Sequence, residues 1–183
     1  MITSGIELLN DCEAGLFRDA IYNTGLQDFD YWEKQVLADP RILANLLRLI
    51  GLDDYRLAWR CGWIIDHVSE ISPHLLADKL PMLISLFLSS RNSSLLRHLS
   101  RILCQYRLPE NSLGAIINRS YELIDSSEPV AVRVNAMQLL FNLTRLMPEL
   151  KGELIAVIER LLEEESSAGF RNRSIRLLRQ LRY

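Results

Sequence analysis

The sequence lacks the short motifs that organise catalytic, phosphate-binding and metal sites. It contains no glycine-rich phosphate loop, no His-Glu-x-x-His and no Gly-x-Ser-x-Gly. Its three histidines are His67, His74 and His98, and a metal site built on them would need carboxylates that converge from other helices. We therefore expect no enzymatic activity, no cofactor and no bound metal.

Cysteine is scarce and follows no pattern. There are three cysteines, an odd number: Cys12, Cys61 and Cys104. They lie far apart in the sequence and form no Cys-x-x-Cys pair. Such spacing argues against a disulfide framework and against a zinc knuckle. We expect reduced thiols, with Cys61 and Cys104 packed as small apolar side chains.

Long hydrophobic runs are also missing. The longest charge-free stretch in the apolar middle of the chain, residues 80–90, contains Pro81 and is shorter than the roughly 20 residues that a bilayer requires. Residues 1–5 lack the basic start and apolar block of a secretory signal. These features predict a cytoplasmic protein that makes no membrane contact.

The composition that remains is ordinary for a globular protein. Of the 183 residues, 49% are apolar and 24% are charged, which permits a sizeable core. Valine and isoleucine occur at helical spacing among good helix formers, so nothing favours strands. We expect a single all-α domain over residues 1–183.

A helical phrase recurs every 36 to 39 residues, most clearly in residues 132–143 and 170–181. The two copies agree at an arginine, a small residue and three leucines: Arg133/Arg171, Ala136/Ser174, Leu139/Leu177, Leu140/Leu178 and Leu143/Leu181. Aligning the small position places Ser100 and Cys61 in the same register, although the copy near Ser100 fits less well. A period of this length indicates a solenoid of helix pairs.

Second helical segments lie between the copies, at residues 74–88, 110–125 and 148–165, each apolar at three- and four-residue spacing. Each is expected to form an antiparallel hairpin with the copy that precedes it, which leaves the last copy, residues 170–181, without a partner helix. Asp53 and Asp54 can cap the helix that follows them. Pro81 either opens its helix or kinks it.

This layout resembles the HEAT-repeat and armadillo-like family. The resemblance implies a right-handed α-α superhelix of about four to five hairpins. Residues 53–183 match the repeats, whereas residues 1–52 are interpreted as an N-terminal cap at residues 6–22 and a first degenerate pair at residues 31–38 and 40–50. It also implies a non-enzymatic scaffold that binds a protein or peptide through its inner helices.

Two tryptophans and an acid form the first candidate binding site. Five apolar residues share one stripe of their helix: Leu57, Cys61, Ile64, Ile65 and Val68. This stripe places Trp59, Trp63 and Asp66 on the opposite side. Tryptophan is enriched in binding hot spots, so the three residues are candidate partner contacts. The alternative is that N-terminal helices cover both rings.

The last 13 residues form the second candidate site, because they carry five arginines and no acid. Arg171, Arg173, Arg176 and Arg179 are the candidate contacts, since guanidinium groups match phosphate and carboxylate oxygens. The alternative is a solvated face that complements the helix dipole. Both interpretations are compatible with the sequence, which specifies neither the partner nor the oligomeric state.

Charge is divided unevenly along the chain. Residues 1–54 carry 10 acids and 4 bases, a balance of −6, whereas residues 55–183 carry 13 acids and 17 bases, a balance of +4. Because residues 55–183 are basic, nucleic acid is an alternative partner. In this alternative the protein is similar to the HEAT-like DNA glycosylases that recognise alkylated bases. In that alternative Trp59, Trp63 and Asp66 would handle the base.

Overall fold

The protein is all-helical, as the apolar spacing predicts. The computed structural model describes residues 11–25, 28–52, 54–164 and 166–183. These residues form ten α-helices and one 3₁₀ segment, and they contain no strand. Within them, no single helix is both long enough and apolar enough to cross a bilayer.

The chain divides into two compact units, Met1–Lys79 and Leu80–Tyr183. The sequence predicts a boundary at a different place, between an N-terminal cap region that ends at residue 52 and regular repeats that begin at residue 53. The expectation of a single domain over residues 1–183 stays a prediction.

The first unit is built around one long helix. Its elements are α1 (Asp11–Asn23), α2 (Phe29–Ala38), α3 (Pro40–Ile50), α4 (Tyr55–Ile71) and a 3₁₀ segment (Pro73–Lys79). Helix α4 packs against α1, α2, α3 and the 3₁₀ segment. It therefore lies at the centre of this unit.

Helix starts in this unit follow from local capping. The Asp39 carboxylate accepts a hydrogen bond from the Arg41 amide, and Pro40 takes the first position of α3, where no amide hydrogen is needed. Asp54 caps α4 by accepting from the Leu57 amide at 3.0 Å. The Asp54 cap agrees with the sequence prediction; Asp53 and the start of the predicted cap helix at residues 6–10 lie outside the described residues.

The second unit consists of three helical hairpins. Its helices are α5 (Leu80–Ser89), α6 (Ser93–Leu103), α7 (Glu110–Ile124), α8 (Val130–Leu143), α9 (Leu150–Glu164) and α10 (Ala168–Arg182). Each hairpin pairs an odd-numbered helix with the next: α5 with α6, α7 with α8, and α9 with α10. Each repeated copy therefore pairs mainly with the segment before it, whereas the sequence predicted pairing with the segment after it and an unpaired last copy. Helix α8 also packs on α6 and α10, so these three helices form what we call the outer row. Helices α5, α7 and α9 form the inner row.

The helix predicted at residues 74–88 is the main boundary error. The structure has the 3₁₀ segment up to Lys79, and α5 begins only at Leu80. Pro81 occupies the second position of α5, so it opens this helix and does not kink it. Proline cannot donate an amide hydrogen, which prevents regular α-helical bonding from running through this point.

The repeat register is confirmed in α8 and α10. Ala136 and Ser174 are both completely buried, as expected for the small position, and so is Cys61 on α4. The alignment of α6 is wrong by one residue. A shift of 37 matches four buried residues of α6 with four of α8: Leu95, Leu99, Ile102 and Leu103 with Val132, Ala136, Leu139 and Leu140.

Candidate interaction surfaces

The predicted tryptophan site lies on α4. Trp59 and Trp63 are partly buried, whereas Asp66 is completely buried. The Trp63 ring stacks on the His67 ring, with centroids 3.6 Å apart and planes inclined by 19°. The Arg60 guanidinium carbon lies 5.2 Å from the centre of the Trp59 ring.

The sequence placed Trp59, Trp63 and Asp66 on the side of the helix opposite the packed stripe, but the structure buries Asp66 completely. A helical wheel assumes that α4 is packed along one stripe only, but α4 contacts other helices on several sides. The carboxylate of Asp66 is therefore not presented to a partner, and the aromatic and acidic set needed for base handling is not assembled on a surface. Partner binding by the two tryptophans stays a prediction.

The predicted arginine site lies on α10, and the structure separates its members. Arg171 Nη1 donates to the Leu162 carbonyl at 2.7 Å, and Arg173 Nη1 donates to Gln138 Oε1 at 3.0 Å. These two side chains are engaged within the unit. Arg176 and Arg179 are exposed, and neither forms a hydrogen bond or ion pair with any described residue. A further arginine, Arg182, pairs with Glu159.

The repeated arginine at the start of the outer helices has a structural role. Arg133 Nε donates to the Ile124 carbonyl at 2.9 Å, and Arg171 makes the equivalent bond to Leu162. Each arginine thus reaches back nine residues to the end of the preceding inner helix, where unsatisfied carbonyls and the helix dipole favour a cation. The Arg133 guanidinium also lies 4.5 Å from the centre of the Phe170 ring, which joins α8 to α10.

A chain of side-chain hydrogen bonds crosses all three helices of the outer row. Arg173 of α10 donates to Gln138 of α8, Gln138 Nε2 donates to Asn142 Oδ1 at 3.0 Å, and Asn142 Nδ2 donates to the Cys104 carbonyl at 3.2 Å. Asn135 adds a parallel bond to the Arg97 carbonyl at 3.1 Å. This network was not predicted from the sequence. Its signal is the polar stripe Asn135, Gln138 and Asn142, at the three- and four-residue spacing of one helix face.

The two rows of the second unit carry opposite charge. The outer-row helices contain eight arginines, two in α6, one in α8 and five in α10, and no acid. The inner-row helices contain six acids, two in α7 and four in α9, against three bases, one in α7 and two in α9. The basic end of the chain is visible in the sequence. The division between rows is not, because the inner-row and outer-row helices alternate along the sequence.

An open groove of ≈ 470 Å³ separates two inner-row helices, α7 and α9. Its lining residues are Asn118, Tyr121, Glu122, Asp125, Glu153, Val157 and Arg160. Arg160 bridges the two helices through a 2.7 Å bond to Asp125, which raises the pKa of Arg160. Burial, with a smaller contribution from the charge of Glu153, raises the pKa of Tyr121 to about 12. The groove is therefore polar and acidic, with a neutral tyrosine hydroxyl at physiological pH.

The described residues do not assemble a metal or thiolate centre. No group of three or more His, Cys, Asp or Glu side chains is placed to hold a metal ion within the described ranges. Burial raises the pKa of the Cys61 thiol to about 12, so Cys61 stays protonated and packs as an apolar side chain.

Stacked hairpins with a repeating set of inter-repeat contacts define a helical-repeat protein. The family model for the HEAT repeat domain matches residues 23–181, and the chain belongs to the HEAT-repeat family. Comparison with curated proteins and with solved structures finds no match. The HEAT-repeat family is typically non-catalytic.

Proposed function

We propose that this HEAT-repeat protein is a non-enzymatic scaffold that binds another protein. The observation that carries the proposal is the opposite charge of the two rows in the second unit. An acid-free arginine row backed by an acidic row gives two surfaces that select different partners, because complementary potential steers association and excludes partners of like charge.

The contacts of the outer row favour binding by a rigid surface. The hydrogen-bond chain from Arg173 through Gln138 and Asn142 holds α10, α8 and α6 side by side. A surface that is ordered before binding loses less conformational entropy when the partner arrives. Arg176 and Arg179 are exposed on α10 and have no hydrogen-bond or ion-pair partner among the described residues, so we assign them as the contacts with the partner.

Charge-reversal variants test the proposed function. The outer-row variant is Arg176→Glu/Arg179→Glu, and the inner-row variant is Glu153→Lys/Glu163→Lys; all four side chains are exposed, so both variants should fold. The full chain and both variants are used to capture and cross-link proteins from the native cell, with mass spectrometry of the cross-links. We expect a defined partner that is lost with one variant and kept with the other. Capture that is identical for the wild type and both variants would contradict the proposal.

A cytoplasmic location is consistent with this function and stays a prediction. The tryptophan pair on α4 also stays a candidate contact, separate from the charged rows. If Trp59→Ala/Trp63→Ala lost the captured partner without loss of fold, the contact would belong to α4. Unfolding of that variant would show that both rings are part of the core.

A further inference from the structure

Six of the eight outer-row arginines fall into two groups with different roles. Most of those with a defined contact serve the fold: Arg133, Arg171 and Arg173 bond to carbonyl or amide oxygens within the unit. Arg97 on α6 joins Arg176 and Arg179 in a second group, whose side chains are exposed and bond to no described residue. This second group is free to bind a ligand without cost to the fold.

The exposed arginines lie on helices that carry no acid of their own. Helices α6, α8 and α10 contain eight arginines and no aspartate or glutamate. Arg182 is paired with Glu159 of α9. An excess of one charge on a surface attracts a partner of the opposite charge, so this row favours an acidic ligand.

The size of the row limits what can bind it. Neighbouring packed helices lie about 8–10 Å apart, so the distance across α6, α8 and α10 is roughly 20 Å. An extended peptide covers that distance with about six residues. Helix α8 lies between α6 and α10, and its Asn135 and Asn142 side chains bond to the backbone carbonyls of Arg97 and Cys104. A short segment therefore meets cations at both sides of the row and meets no helix-borne acid between them.

We propose that the outer row binds a short acidic segment of a partner protein, with Arg97, Arg176 and Arg179 as the contacts for its carboxylates; this inference rests on the proposed function. Arginine suits the role because its planar fork pairs with carboxylate in a bidentate geometry. A long nucleic acid fits less well. The basic row is small, the inner row behind it is acidic and the whole chain carries a formal net charge of −2.

The test measures binding of a short fluorescein-labelled poly-glutamate peptide by fluorescence anisotropy, with the full chain. A poly-lysine peptide and a short DNA duplex serve as comparison probes. Arg176→Glu/Arg179→Glu reverses two contacts on α10, and Arg97→Glu reverses the contact on α6 independently. Lys34→Glu/Arg48→Glu is the matched control, because it makes the same change in net charge at exposed residues of the first unit. Urea unfolding midpoints establish that every variant retains the fold.

We expect the wild type and the Lys34→Glu/Arg48→Glu control to bind poly-glutamate with equal affinity. The double outer-row variant should bind about tenfold more weakly, and Arg97→Glu should weaken binding by a smaller factor. Binding should also weaken from about 50 to about 200 mM salt, since these contacts are solvent-exposed.

Three results would overturn the inference. The first is no binding of poly-glutamate at low salt, and the second is an equal loss in the first-unit control. The third is tighter binding of the DNA duplex than of the peptide. If poly-glutamate fails to bind while Glu153→Lys/Glu163→Lys alone loses the cross-linked partner, the proposed function stands and the acidic segment is wrong.

Discussion

Asn142 of α8 donates a hydrogen bond to the backbone carbonyl of Cys104 at the end of α6, across the boundary between two repeats. The residues lie 38 positions apart in the chain, which is one repeat. The bond satisfies a carbonyl that the end of a helix leaves open, and it fixes Asn142 so that its oxygen accepts from Gln138. Repeats in this unit are therefore joined by directed polar contacts as well as by apolar packing.

Asn142→Ala should destabilise the protein by about 1–2 kcal/mol. The substitution removes the bond to Cys104 and leaves the Gln138 amide without its acceptor, and groups left partly unsatisfied cost more than the lost bond alone. The free energy of unfolding is measured by urea denaturation. Asn172→Ala is the matched control, because Asn172 is exposed on α10 and the two changes alter helix propensity equally. Equal unfolding free energies for the two variants would show that the hydrogen-bond chain adds nothing to the stability of the protein.

Ala136→Leu should destabilise the protein by about 1–3 kcal/mol through overpacking. Ala136 is completely buried at the small position of α8, and the added carbons have no free volume there. Ala115→Leu makes the same change at an exposed position of α7 and should alter stability by less than about 0.5 kcal/mol. Urea midpoints measure both. A variant at Ala136 as stable as the one at Ala115 would mean that the small residue is not required by packing.

The outer helices were predictable because their periodicity depends on burial alone. Phe170, Ser174, Leu177 and Leu178 repeat the buried positions of α8, and a shift of 38 residues reproduces them. Two other positions break the match, and they are informative. Met137 and Phe141 are buried on α8, whereas their counterparts Ile175 and Arg179 are exposed on α10. Exposure there depends on whether another helix stacks alongside, which the sequence of one helix does not contain.

The candidate sites were less predictable because they too depend on which other helices pack alongside. A helical wheel places Asp66 opposite the core stripe, but it cannot count the neighbours of α4. Closeness in sequence likewise groups Arg171, Arg173, Arg176 and Arg179 together. Which of them are engaged depends on carbonyl and amide oxygens supplied by α8 and α9. Residue type predicted the chemistry of these side chains, and tertiary contacts determined which of them stay available.

Tyr121→Phe should reduce the loss of stability at alkaline pH. The pKa of Tyr121 rises from 10.0 to about 12 in the folded protein, mainly through burial. Because folding disfavours the ionised form, the stabilisation that this group provides is complete below pH 10.0 and is lost as the pH rises towards about 12. Urea midpoints of the wild type and the variant should therefore agree near neutral pH and diverge above pH 10.0, with the wild type falling more steeply. Parallel curves would contradict the assignment.

Cys61 should resist thiol reagents in the native protein. With a pKa of about 12, only about one molecule in ten thousand carries a Cys61 thiolate at pH 8, and burial blocks access as well. Cys104 is less buried, so it should react faster. The measurement compares the rate of reaction with a chromogenic disulfide in two variants, Cys12→Ser/Cys104→Ser and Cys12→Ser/Cys61→Ser. Urea should abolish the difference between them, because unfolding exposes both thiols. Native rates that are equal for Cys61 and Cys104 would mean that the interior around α4 opens readily.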